Sequence, residues 1–252
     1  MKRLPIMINV ILIFVLSLTG IAQEKKDTLK ILFVGNSYTY FENMPQIVSL
    51  ISDSSKTKLV TKKSVVGGAK LSEHWLGEKG LKTQGLIKNG HFDIVVLQEY
   101  SMGSIDAPDS LMKYSKLFCD LIKETGAKPY LYMTWAREKV PQYQEEINKV
   151  YSKVAAQNDA VIVPVGKAWE LAMELRNNIK LFDDDGSHPN QLGAFLTACT
   201  FVGTILGEVP NNLGTFYSIE DAYGENVVLL DQIDPLDVVF FTKVSEEIIK
   251  KH

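Results

Sequence analysis

Five short runs rich in β-branched and aromatic residues, at 30–34, 59–66, 93–97, 130–134 and 160–165, are mostly separated by stretches of helical periodicity. A chain that alternates in this way has few solutions. A helix between two strands carries the second back parallel to the first, and the crossovers cover both faces of the sheet with helices. The expected fold is therefore α/β, a three-layer, doubly wound parallel sheet of about five strands. The helical stripes support it. Met44, Ile47, Val48 and Ile51 share one face, as do Leu111, Tyr114, Phe118, Leu121 and Ile122. Pro141 suits a first helical turn ahead of Ile147, Val150, Tyr151 and Val154. Leu192, Phe195, Leu196, Cys199, Val202 and Leu206 form a last strongly periodic stripe, which Gly207 and Pro210 end.

The ends read differently. Lys2 and Arg3 precede an apolar run over residues 6–18, and Gly20 and Ala22 flank Ile21. That order describes a secretory signal peptide over 1–22, the alternative being an uncleaved N-terminal anchor. The expectation is an exported protein, periplasmic or extracellular, with no stable membrane insertion after cleavage. Residues 23–252 then make a single domain, opening on a polar tether at 23–27. Past Asn211, residues 226–230 suit a strand or a helix. Leu236, Val239, Phe240, Val244 and Ile248 suggest a C-terminal amphipathic helix.

Composition narrows the function classes. With 46% hydrophobic and 23% charged residues in 252, the chain is of ordinary globular make-up, neither disordered nor coiled-coil. A net charge of −3, more acidic still once Lys2 and Arg3 leave with the leader, argues against a nucleic-acid partner. Two cysteines, Cys119 and Cys199, make no disulfide scaffold or zinc ribbon. Their helices are expected on opposite sheet faces, which disfavours a bridge. Neither a Walker loop nor a Gly-x-Gly-x-x-Gly is present, so no nucleotide cofactor is called for.

In an open parallel sheet, ligands sit beyond the carboxyl ends of the strands. There the chain carries Gly35-Asn36-Ser37, Gly67-Gly68, Gln98-Glu99 and Trp135, and later Asp183 to Asn190. Ser37 falls on a strand-to-helix turn, where backbone N–H groups face a developing negative charge. It suits either a nucleophile or a plain helix N-cap. His188 favours the first, because a hydroxyl needs a base and an imidazole, with an ordinary pKa of about 6.5, is the usual one. Asp185, three residues earlier, is placed to hold the imidazole Nδ1–H. The segment 183–187 also reads as a turn, but as a calcium loop it would put Leu181 where the first acidic ligand belongs, so no metal is expected.

In order and spacing these blocks resemble the SGNH hydrolase superfamily, also called GDSL-like esterases and lipases, across residues 35–190. The resemblance implies a flavodoxin-like sheet and a cofactor-free serine esterase working through an acyl-serine intermediate. It assigns Ser37 as nucleophile, His188 as general base and acid, and Asp185 as the residue orienting His188. It also implies an oxyanion hole made by the Ser37 N–H, the Gly68 N–H and the side-chain amide of Gln98. The chain departs from the family pattern at Asn36, where aspartate is usual, and at Gln98, where asparagine is usual. Gly67 is the alternative to Gly68, which is favoured because a small and then a polar residue follow it. Trp135 is the candidate to stack on a sugar ring, although burial is the commoner fate of such aromatics, and His74, Trp75 and Tyr100 are weaker ones. The expected substrate is a glycan or small-molecule ester, with a carbohydrate O-acetyl group as the leading choice. Alternatives are lipid or thioester cleavage, acyl transfer, or a non-catalytic carbohydrate-binding relative.

Overall fold

The computed structural model describes residues 27–251, so the leader at 1–22 and most of the proposed tether lie outside the described residues. Five parallel strands, β1 (Asp27–Gly35), β2 (Thr57–Val65), β3 (Ile94–Leu97), β4 (Lys128–Tyr132) and β5 (Val161–Val163), form one sheet in the order β2-β1-β3-β4-β5. From β1 the chain winds first to one side and then to the other. A crevice therefore opens where β1 and β3 part, beyond their carboxyl ends.

Helices α1 (Ser37–Tyr40) and α2 (Met44–Ile51) follow β1. Next come α3 (Leu71–Leu76), α4 (Thr83–Asn89), α5 (Gly103–Asp106), α6 (Pro108–Glu124), α7 (Gln144–Asn158), α8 (Val165–Leu175), α9 (Gln191–Leu206) and α10 (Pro235–Lys250). The period-two alternation of the strands sorts the core into two halves. Ile31, Phe33, Ile94, Val96, Tyr130 and Tyr132 face α2, α8, α9 and α10. Leu32, Val34, Val95, Leu97 and Leu131 face the opposite layer, which includes α3, α6 and α7. Because both faces are covered, the strands read as continuous apolar runs.

Two strands end sooner than their composition suggests. After Tyr132 the Thr134 carbonyl accepts from Gln144 Nε2 at 3.2 Å, and Gln144 Oε1 accepts the Ala136 N–H at 2.6 Å, so a buried side-chain amide takes over from the ladder. β5 stops at Val163 because Pro164 has no N–H and caps α8. Residues 226–230 belong to a strand, β7 (Asn226–Leu230), paired antiparallel with β6 (Tyr217–Glu220). The C-terminal helix forms, but its buried face runs through Val238, Phe241, Val244 and Ile248. Leu236 and Val239 are exposed, and Phe240 lies under the Arg176 guanidinium, 3.8 Å from the ring centroid.

Cys119 and Cys199 are free, buried, and set in the two separate core halves, so the sheet divides them. Burial pushes the Cys119 thiol up to about 12 and raises that of Cys199 as well. Iodoacetamide at neutral pH should leave the native protein at its unmodified mass and add two adducts once it is denatured. Rapid labelling of either cysteine in the native state would contradict this packing.

Candidate active site

The turn after β1 is built from buried amides. Asn36 is the N-cap of α1, its Oδ1 accepting the Tyr38 N–H at 3.1 Å. Its Nδ2 donates to the Ala69 carbonyl at 2.9 Å and reaches the Glu99 carbonyl at 3.5 Å. The loops after β1, β2 and β3 are thereby joined by one side chain. An aspartate could not donate to either carbonyl, which gives the asparagine here a physical reason.

Gln98 does not have the orientation that the family resemblance implies. It is fully buried. Its Oε1 accepts the Asn36 N–H and the Thr39 hydroxyl, both at 2.9 Å, and its Nε2 donates to the Glu99 carbonyl. The extra methylene, compared with asparagine, lets the amide fold back under the turn rather than extend toward a substrate oxygen. Gly35 makes room for it, since a Cβ there would lie 2.4 Å from Gln98 Oε1 and from Thr39 Oγ1.

Above this floor, Ser37 Oγ lies 2.8 Å from His188 Nε2, and His188 Nδ1 faces Asp185 Oδ2. The carboxylate fixes the tautomer, so Nδ1 donates to it and Nε2 is left to accept the Ser37 hydroxyl proton. Partial burial pushes Asp185 up, but hydrogen bonds from the His188 ring and from the His188 and Ser187 N–H groups outweigh it and hold the carboxyl at about 2. Phe41 stacks on the imidazole at 4.2 Å, and Tyr38 meets it edge-on at 5.6 Å.

The loop bearing His188 is pinned at several points. Phe182 and Pro189 form an isolated antiparallel bridge, and the Asp183 N–H donates to the His188 carbonyl at 2.8 Å. Asn190 caps α9, accepting from the Gly193 N–H at 3.0 Å. Trp135 supplies another anchor. It is buried, stacked between Trp169 (3.8 Å) and Tyr38 (4.7 Å), and its Nε1–H donates to the Ser187 carbonyl at 3.0 Å. Its placement as a sugar-stacking residue is thus corrected: the ring has no free face, and Trp135 braces the histidine loop against the serine turn.

His74 is buried too, with Nε2 donating to the Gly35 carbonyl at 2.9 Å and Nδ1 accepting from Thr83 at 2.7 Å. Burial lowers its pKa and keeps the ring neutral. Trp75 packs edge-on to Phe118, and neither lines the cavity. Tyr100 does.

The cavity over Ser37 has a volume of about 270 Å³ and is lined by Asn36, Ser37, Tyr38, Gly68, Tyr100 and Ser101, together with Arg137, Ser187 and His188. Gly68 has φ +64°, a left-handed conformation that glycine adopts without strain and that puts its backbone into the wall. Among the described residues no hydrogen bond engages the N–H of Ser37 or Gly68. Two backbone donors are therefore available where the notional third, Gln98, is not. Arg137, Tyr38 and Phe41 had no motif to announce them. Arg137 shows only as a cation just past the end of a strand, the position that flags a ligand-facing residue in such sheets.

No family model and no curated protein sequence matches the chain. Solved structures do. A protein from Slackia heliotrinireducens ascribed to the SGNH hydrolases is 25% identical, covers 71% of this chain and 100% of its own, and superposes with a TM-score of 0.60. A DUF4886 family protein from Bacteroides uniformis is 19% identical over 89% of this chain and 95% of its own, with a TM-score of 0.70. An acetyl xylan esterase shares 15% identity over 70% of this chain and 100% of its own, at 0.54.

If Gln98 braces the turn, Gln98→Ala leaves the buried Asn36 N–H and Thr39 hydroxyl without their acceptor and should cost about 1–3 kcal/mol of stability. Urea unfolding followed by circular dichroism measures it. Unchanged stability with a turnover defect of 100-fold or more would return Gln98 to the oxyanion hole.

Proposed function

We propose that this chain, which has the SGNH hydrolase fold, is a serine ester hydrolase that works through an acyl-serine intermediate, and that its substrate is a carbohydrate O-acetyl ester. The carrying observation is the Ser37–His188–Asp185 hydrogen-bonded chain standing beside the N–H groups of Ser37 and Gly68. In this reading Ser37 Oγ attacks the ester carbonyl while His188 Nε2 takes its proton. The tetrahedral oxyanion is met by the two N–H groups, and His188 then protonates the departing alcohol. A water activated by the same imidazole releases the acid and frees Ser37. Asp185 stays ionised throughout and balances the imidazolium.

The cavity lining supports a short acyl group and a polar alcohol. Apart from Gly68, every lining residue carries a hydroxyl, amide, imidazole or guanidinium, and a cavity of about 270 Å³ suits a small acyl group. The leader-like sequence of residues 1–22 supports an external setting, and export is part of the proposal. Bringing catalysis about with two backbone donors fits a modest turnover number better than a high one, since each oxyanion donor is worth roughly 100- to 1,000-fold in kcat.

Acetate release from acetylated glycans, alongside aryl esters of increasing acyl length, tests this directly. Acetyl esters should be cleaved best, and Ser37→Ala should lower turnover by roughly 10⁴-fold or more while its circular dichroism spectrum stays native. A folded Ser37→Ala protein that hydrolyses esters as well as the parent would overturn the mechanism. A rate rising with acyl length would overturn the substrate.

A further inference from the structure

We propose that the alcohol half of the ester carries a carboxylate, as in an O-acetylated sugar acid, and that Arg137 recognises it at the rim of the cavity over Ser37. This rests on the hydrolase reading above. The chain has two arginines among its described residues, and they are treated differently. Arg176 is paired with Asp237 at 2.5 Å and stacked on Phe240. Arg137 lines the cavity with the nucleophile and the base, its Nη2 donating to the Ser101 hydroxyl at 2.7 Å. Among the described residues no carboxylate lies within ion-pair distance of it.

The surroundings add to this. No aspartate or glutamate lines the cavity, although the whole chain carries more acids than bases. Lys70 Nζ lies 5.1 Å from the centroid of the Tyr100 ring, a lining residue, and adds a second positive charge near the cavity. The hydroxyls of Ser101 and Tyr38 stand beside the guanidinium, and the Tyr38 hydroxyl bonds Ser187 Oγ at 2.7 Å. With the hydroxyls of Ser101 and Tyr38 against it, the planar fork still has further N–H donors for a carboxylate in a bidentate pair, a geometry that guanidinium matches and ammonium does not.

Position decides which half of the ester is charged. In the acyl-serine intermediate the acyl group stays on Ser37, whereas the alcohol must leave toward solvent. Arg137 is an exposed residue, while Ser37 sits on the buried floor around Asn36. A cation at the solvent side is therefore placed for the leaving half.

The test compares acetate release from an O-acetylated glucuronic acid and from the matching glucuronamide, whose neutral amide replaces the carboxylate, with phenol release from an aryl hemisuccinate, whose charge lies on the acyl half. The parent protein should favour the acid over the amide by roughly tenfold or more in kcat/KM, chiefly through KM, and the preference should shrink as salt is raised. Arg137→Ala should bring the acid-to-amide ratio to about one, and Arg137→Lys should restore part of it. Equal rates for acid and amide in the parent protein would overturn the proposal and leave the hydrolase reading standing. So would a preference confined to the hemisuccinate, which would move the charge to the acyl half. Hydrolysis of none of the three would instead overturn the hydrolase reading itself.

Discussion

Much of the molecule's order around the cavity depends on how three loops are held together beneath Ser37. Where β1 and β3 diverge, the sheet offers a crevice but no ladder bonds to close it, and every backbone group there must find another partner. Asn36 and Gln98 supply these partners. Gln98 Oε1 accepts the Asn36 N–H, Asn36 Nδ2 donates to the carbonyls of Ala69 and Glu99, and Gly35 leaves space for Gln98 and Thr39. Such a network in a low-dielectric interior rigidifies the turn because each unmade bond is costly there. Glu99 extends it, its Oε1 accepting from the N–H groups of Leu71 and Tyr100. The serine thus stands on a floor of satisfied polar groups.

A second, apolar device fixes the histidine relative to that floor. The rings of Tyr38, Trp135 and Trp169 stack in sequence, and Phe182 meets Trp169 edge-on. These residues belong to α1, the loop after β4, α8 and the histidine loop, so four distant segments share one column of rings. Trp135 Nε1 then donates to the Ser187 carbonyl, next to His188. Burial of large aromatic surface supplies the adhesion and the single hydrogen bond supplies the register. The 2.8 Å contact between Ser37 and His188, residues 151 apart in sequence, results from these two devices.

The sheet was legible because buried parallel strands must be short apolar runs, and the order of Ser37, Gly68, Asp185 and His188 was legible because a relay needs fixed residue types at fixed offsets. The structure brings Ser37, Gly68 and His188 to one cavity and sets Asp185 behind the imidazole. Helices α3, α4 and α8 left weaker traces, being short or joined directly to neighbouring strands. Gln98 and Trp135 were misplaced for a common reason. Sequence locates a side chain at the end of a strand but does not tell which way it turns, and in both cases buried backbone groups, the Asn36 N–H and the Ser187 carbonyl, capture it. Arg137 escaped because a lone cation past a strand carries no signature until its lack of a counter-charge is seen.

Covalent trapping measures the central claim most directly. Incubation with an aryl fluorophosphonate followed by intact-mass and peptide analysis should show a single adduct, located on Ser37, and His188→Ala should slow its formation sharply while the protein stays folded. An unmodified native protein, or an adduct on another serine that persists in Ser37→Ala, would contradict the account.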